Sequence, residues 1–137
     1  GGSIYGFEAA CALDTTRNRV LVLGGLGNDR GLYNLGGGAT SGVTLTGSAS
    51  GAVIDSGAGM VYDPALDAYL VRRAGAGGTV YRINAQTFEV TSLSTTLGGA
   101  VPAAQNGVYR RFLYAPGLGG VVYCPDYDSN MWFLRTI

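Results

Sequence analysis

Met60-Val-Tyr-Asp-Pro-Ala-Leu-Asp-Ala-Tyr-Leu-Val71 is an apolar run, a turn-forming cluster and a second apolar run, the pattern of a tight β-hairpin. Proline suits the turn and not a strand interior, because it lacks the N–H that a ladder needs. Aspartate suits the turn because its carboxylate accepts from nearby backbone N–H groups. The pattern aligns without gaps on Cys11-Ala-Leu-Asp-Thr-Thr-Arg-Asn-Arg-Val-Leu-Val22 and on Phe112-Leu-Tyr-Ala-Pro-Gly-Leu-Gly-Gly-Val-Val-Tyr123. Asp14, Asp63 and Ala115 then share one place, at separations of 49 and 52 residues. A period near 50 belongs to propellers and solenoids.

Later signals keep phase with the hairpins. A third strand centred on an aromatic follows each: Leu32-Tyr-Asn-Leu35, Val80-Tyr-Arg-Ile83 and Met131-Trp-Phe-Leu134. A fourth follows in two copies, Val43-Thr-Leu-Thr46 and Phe88-Glu-Val-Thr-Ser-Leu93, alternating as a half-buried outer strand does. The first strands are read near Phe7–Leu13, Gly57–Tyr62 and Val108–Tyr114, and the second as Val20–Leu23, Ala68–Arg72 and Val121–Cys124. Apolar residues do not recur at helical spacing, and glycine breaks every helical candidate. Each unit therefore reads as a four-stranded antiparallel meander.

A radial arrangement follows from side-chain size. The first strands begin with very small residues, Ala9-Ala10 and Gly57-Ala58-Gly59, whereas later strands carry Tyr, Phe, Trp and Val. Innermost strands crowd near an axis and outer ones diverge, so small-to-large is the gradient that blades require. Short strands at this turn density also fit a sandwich, which has no need of that gradient.

These segments resemble Kelch-like β-propeller blades of the type in the central domain of galactose-oxidase-like proteins. The second copy carries the resemblance, from Gly59 to Val71 and on through Thr79-Val-Tyr-Arg-Ile-Asn84. So does the last, Arg111 to Tyr123, ending Asn130-Met-Trp-Phe-Leu-Arg135, which is similar to a closing blade. The glycine pair of such blades stands cleanly only at Gly24-Gly25, and no copy holds the spaced Tyr and Trp together. The expected fold is all-β: a propeller segment of three four-stranded blades at about 6–47, 57–94 and 107–137, the last lacking its outer strand. Propellers close with about four to eight blades. Three therefore call for another chain or an upstream segment, since Gly1–Tyr5 lies too close to the first strand to complete the third blade. Two copies making six blades is the simplest symmetric solution.

Composition narrows function. The 137 residues include 24 glycines without a period of three, 47% hydrophobic and 13% charged residues, which excludes disorder and collagen. Nine basic residues, all arginine, balance nine acidic ones, and the absence of a basic stripe argues against nucleic-acid partners. No apolar run approaches a membrane-spanning helix. Cys11 and Cys124 fall in different copies and are expected to be buried free thiols.

No histidine is present, which removes Ser-His-Asp and Cys-His catalysis, histidine zinc sites and the copper ligands of the oxidases whose blades these resemble. Carboxylate-pair glycoside hydrolysis competes with turn capping for Asp14, Asp63 and Asp67, and their places in the turns favour capping. Gly24–Gly31 lacks the Gly-Lys-Ser/Thr and the helix of a phosphate loop. Asp126, Asp128 and Asn130 alternate like calcium ligands but lack the glycine and distant glutamate of an EF-hand. Arg72-Arg73 and Arg110-Arg111, read as strand residues, put one arginine of each pair inward, toward either a blade-to-blade carboxylate or an anionic ligand.

Ligand contact is assigned to loops, since connections between second and third strands, and between successive blades, emerge at one end of a propeller. The candidates are Asn28, Asp29 and Arg30, then Arg73 and Arg110, then Tyr127, Asp128 and Asn130, with Asp126, Asp128 and Asn130 as the candidate metal set. No cofactor and no enzymatic activity are expected. The chain reads as a binding or structural module of a secreted, surface or virion-associated assembly such as a phage tail, contacting glycans or proteins. The alternative is a noncatalytic propeller portion of a larger carbohydrate-active enzyme.

Overall fold

The structure is a computed structural model that describes residues 8–38, 40–75, 77–93 and 101–136. It is all-β, with three antiparallel sheets and no α-helix among the described residues. The first sheet runs β1 (Ala9–Asp14), β2 (Arg19–Gly24), β3 (Asp29–Asn34) and β4 (Thr40–Gly42). The second runs β5 (Gly59–Asp63), β6 (Ala68–Arg72), β7 (Val80–Asn84) and β8 (Val90–Leu93). The third has β9 (Phe112–Ala115), β10 (Gly120–Tyr123) and β11 (Trp132–Arg135). Strands pair in chain order, so each sheet is a meander, and β11 is an edge with no fourth strand beside it among the described residues.

The three hairpins that open the sheets share one geometry. Asp14 pairs with Arg19, Asp63 with Ala68 and Ala115 with Gly120, each closing a loop of four residues. The last loop residue is left-handed in all three: Asn18 at φ 50°, Asp67 at φ 46° and Gly119 at φ 67°. Asn, Asp and Gly are the residues that enter this region at least cost. Asp14 Oδ1 accepts from the N–H groups of Thr16 and Arg17 at 3.0 Å, and Asp63 Oδ1 accepts from those of Ala65 and Leu66 at 2.9 and 3.3 Å. Capping by Asp14 and Asp63 is thus as expected.

The sheets stack with the second in the middle. Ala10, Ala12, Leu21, Leu23 and Leu32 of the first meet Met60, Tyr62, Tyr69, Val71 and Ile83 of the second. Leu70 and Val80, on the other face of the second sheet, meet Phe112, Val121 and Tyr123 of the third. First strands lie side by side, β1 against β5 and β5 against β9. Small residues permit this approach. A Cβ added to Gly59 would fall 2.5 Å from Val108 Cγ1 and 3.0 Å from Phe112 Cβ.

Several expectations are corrected. The first strand expected from Val108 begins at Phe112, because Tyr109–Arg111 forms a 3-10 turn, so Arg110 and Arg111 are not strand residues. The fourth strand expected at Val43–Thr46 is β4, at Thr40–Gly42. Beyond it Val43 and Leu45 are buried, and Thr46 bridges in parallel to Glu89 on the outer edge of the second sheet. The apolar alternation was real, but it covers the neighbouring sheet's free edge. The other fourth strand starts at Val90, after Phe88 in a left-handed turn at φ 56°.

The aromatic register also shifts. Tyr81 and Trp132 are equivalent, each paired at the same height, with Val71 and Tyr123. In the first sheet that height pairs Val22 with Gly31, and Tyr33 sits two residues on. Tyr33 reaches back, since a Cβ at Gly31 would stand 2.8 Å from its Cε2. Cys11 is exposed and Cys124 half-buried, both free thiols, so burial is not as expected for Cys11, although Val22 beside it on the same sheet face is buried. Phe7, Gly1–Tyr5 and Ile137 lie outside the described residues.

Candidate functional site

Antiparallel pairing places the four-residue turns at one end of every sheet, together with the connections after β3 and β7, and the remaining connections at the opposite end. That second end gathers the turn after β2, the loops after β6 and β10, and the links between sheets.

Contacts along the chain stitch this end together. The Asp55 carbonyl accepts from Gly25 N–H at 3.4 Å, while its carboxylate accepts from Arg73 Nε at 3.2 Å. One residue between the first two sheets thereby holds a loop of each. The pair with Asp55 is the main cause that raises the Arg73 guanidinium above its ordinary value. Ser56 Oγ donates to the Glu8 carboxylate, and Gly57 N–H to the Glu8 carbonyl at 3.1 Å. Arg111 donates to the carbonyls of Pro125, Gln105 and Gly107, fixing the loop after β10 to the link before β9.

The inward arginine of the first doublet is Arg72, 3% exposed. It donates to the carbonyls of Arg73 at 2.7 Å and Pro102 at 3.4 Å, and its Cζ lies 4.9 Å from the Tyr123 ring centre. The expected carboxylate partner is replaced by carbonyls and an aromatic face, partners a guanidinium fork suits as well. Burial pulls its pKa down, and the same burial pushes that of Tyr123 up.

The candidates divide among several places. Asn28 is a left-handed turn residue at φ 53°, with its N–H on the Gly25 carbonyl at 3.2 Å. Asp29 and Arg30 lie within β3, paired with Gly24 and Leu23, and so are not loop residues. Arg30 and Arg110 are exposed, and among the described residues neither meets a carboxylate within ion-pair distance. Arg73 lines a cleft of about 200 Å³ with Arg72, Gly75, Gly77, Thr79 and Tyr81. Arg110 lines another, of about 290 Å³, across the mouths of the three first strands, with Cys11, Met60, Tyr109 and Leu113. Tyr127, Asp128 and Asn130 occupy the exposed loop after β10. Asp126 Oδ1 accepts from Tyr127 N–H at 2.7 Å, so one oxygen of the candidate metal set serves its own turn. No group of three or more His, Cys, Asp or Glu among the described residues is arranged to hold a metal ion.

The strongest electrostatic cluster is at the opposite end, and sequence reading missed it. Asp67 is not a backbone cap. It accepts both arms of Arg17, at 2.7 and 2.6 Å, and the Tyr62 hydroxyl at 2.8 Å. Arg17 also reaches Asp14 at 3.1 Å, and Arg19 Nε reaches the same Asp14 oxygen at 3.0 Å. Arg17 holds the Asp67 carboxyl far below the usual carboxylate range, and Asp67 raises Arg17 in return. Burial pushes Asp14 up, but the Arg17 N–H and the two guanidiniums outweigh it and leave it lowered. Burial likewise pushes the Tyr69 hydroxyl up to about 12. Four-residue turns one repeat apart were the available signal, because adjacent sheets bring such turns side by side.

This cluster clamps the first sheet to the second, and its groups are occupied by one another. At the looped end, Arg30, Arg110 and the loop of Tyr127 are exposed. Compared with protein-family models, with curated proteins and with solved structures, the chain finds no significant match in any of the three.

Proposed function

We propose that the chain is a non-enzymatic binding or structural module, three blades of a Kelch-like β-propeller whose looped end contacts glycans or proteins in a secreted, surface or virion-associated assembly. The observation that carries this reading is the way the sheets meet. Equivalent faces are used at both sheet–sheet contacts, first strands lie together, and glycine or alanine stands where they approach most closely. Radiating blades require that combination. The cleft of about 290 Å³ across the first strands is then one wall of an axial channel.

The looped end is the binding face because its loops are held in place while Tyr127, Asp128 and Asn130 are exposed. Arg73–Asp55 and the Arg111 carbonyl clamp hold the loops, and Tyr127 projects 96% exposed from them. An aromatic ring beside Asp128 and Asn130 offers an apolar face and hydrogen-bonding groups together, a pairing that suits a sugar ring or a peptide. The test is the full chain on a glycan array, with Tyr127→Ala and Asn130→Ala beside it. Glycan retention lost in both variants, with melting unchanged, is the expected result. Retention unaffected by them, or no glycan retained, removes glycan contact from the reading.

A further inference from the structure

Each sheet has a front, which meets the next sheet, and a back, which meets the previous one. The middle sheet uses both: Val61, Leu70 and Val80 in front, Met60, Tyr62, Tyr69 and Ile83 behind. Two faces remain over. The back of the first sheet carries Cys11, Leu13, Val20 and Tyr33 around a buried Val22, and the front of the third carries Leu113, Val122 and Phe133. Leu13 is 47% exposed, yet its equivalent Tyr62 is 6% exposed against the first sheet. Leu113 and Phe133 are 52% and 48% exposed. The turns agree: Leu66 packs against the third sheet, while its equivalent Leu118 stands 65% exposed.

We infer that these two faces bind a second copy of this chain, the front of each third sheet against the back of the other copy's first sheet. The inference rests on the blade reading above. One chain carries both members of a front–back pair, and front-to-back is the contact its sheets already make twice. Rings of blades close with about four to eight sheets. Three sheets from each of two copies make six, within that range. Two copies about a two-fold axis along the ring therefore cover both faces of each at once, and the head-to-tail contact closes instead of propagating.

Native mass spectrometry and light scattering of the full chain test this, the expected mass being twice 14.1 kDa. Leu13→Arg and Leu113→Arg are each expected to give monomers with the circular dichroism of the parent, since each interface needs one face of each kind. Mixed in equal amounts they retain one sound interface and associate again, a recovery that misfolded variants would not show. Leu118→Ser, which changes an exposed side chain outside both core clusters, is expected to weaken association about ten-fold or more while folding normally. A parent that stays monomeric at all concentrations overturns the inference, as do assemblies that keep growing with concentration. Neither result touches the front-to-back stacking itself. An experimental structure with the sheets in another order would overturn the blade reading together with this inference.

Discussion

Gly59→Ala tests the reason why the first strands can lie together. The new methyl would sit 2.5 Å from Val108 Cγ1, 2.9 Å from the Tyr109 carbonyl oxygen and 3.0 Å from Phe112 Cβ. Carbon atoms prefer about 3.5–4.0 Å. Neither hydrophobic neighbour can swing into solvent, because Val108 and Phe112 are buried between the second and third sheets. Overpacking of this kind costs about 1–3 kcal/mol. Alanine also restricts the unfolded chain, which returns about 0.4–1 kcal/mol. The net expectation is destabilisation by about 1–2 kcal/mol, a fall in Tm of about 3–10 °C for a chain of this size.

Urea unfolding followed by circular dichroism measures it, with Gly51→Ala as the control. A Cβ at Gly51 meets nothing within 4 Å and its φ is ordinary, so that variant is expected to be neutral or stabilised by up to about 1 kcal/mol. Val108→Ala removes the atom in the way. Gly59→Ala combined with Val108→Ala should therefore be less costly than the two singles added, by about 0.5–2 kcal/mol. If Gly59→Ala is as stable as Gly51→Ala, or the two sites simply add, then close approach of the first strands is not why glycine stands there.

Two other outcomes follow from the Asp-capped turns. Asp67 and Asp14 are held below their ordinary value of 3.8, so the stability they lend is present above that pH and is lost as pH falls through their folded values. Urea midpoints from pH 5 down to 2 should fall less steeply for Asp67→Asn than for the parent, starting from a lower value; parallel curves would show that the Arg17 pair adds no stability. Asp63 is fully buried and accepts from Ala65 and Leu66 N–H and from Thr136 Oγ1 at 2.6 Å. Asp63→Ala should cost about 1–3 kcal/mol and Asp63→Asn less, and equal losses would mean the caps are not what Asp63 contributes.

The all-β class and the three hairpins were legible because they depend on local chemistry. An apolar run, a four-residue turn and a second run specify a hairpin whatever surrounds it. Placement of the later segments depended on neighbours that no single repeat contains. Val43 and Leu45 read as an outer strand in any frame, but only the stacked sheets decide that Thr46 bridges to the second sheet and not the first. Arg110-Arg111 read as strand because the apolar residues Val108 and Phe112 flank them, and the 3-10 turn that displaces them is fixed by carbonyls at Gln105, Gly107 and Pro125.

The Arg17–Asp67 clamp was illegible for a related reason. Equivalent turn residues reach the next sheet in both cases: Arg17 meets Asp67, and Leu66 packs against the apolar cluster shared with the third sheet. One contact is an ion pair and the other apolar, so no residue pattern at a period of 50 announces either. What the three turns share is a backbone shape, positive φ at Asn18, Asp67 and Gly119, and three different residues satisfy it. A repeat held together by backbone geometry can change its side-chain contacts from one interface to the next. At the equivalent place in the third sheet's turn stands Leu118, apolar and 65% exposed, so that a surface laid against it would meet a hydrophobic contact and not an ion pair.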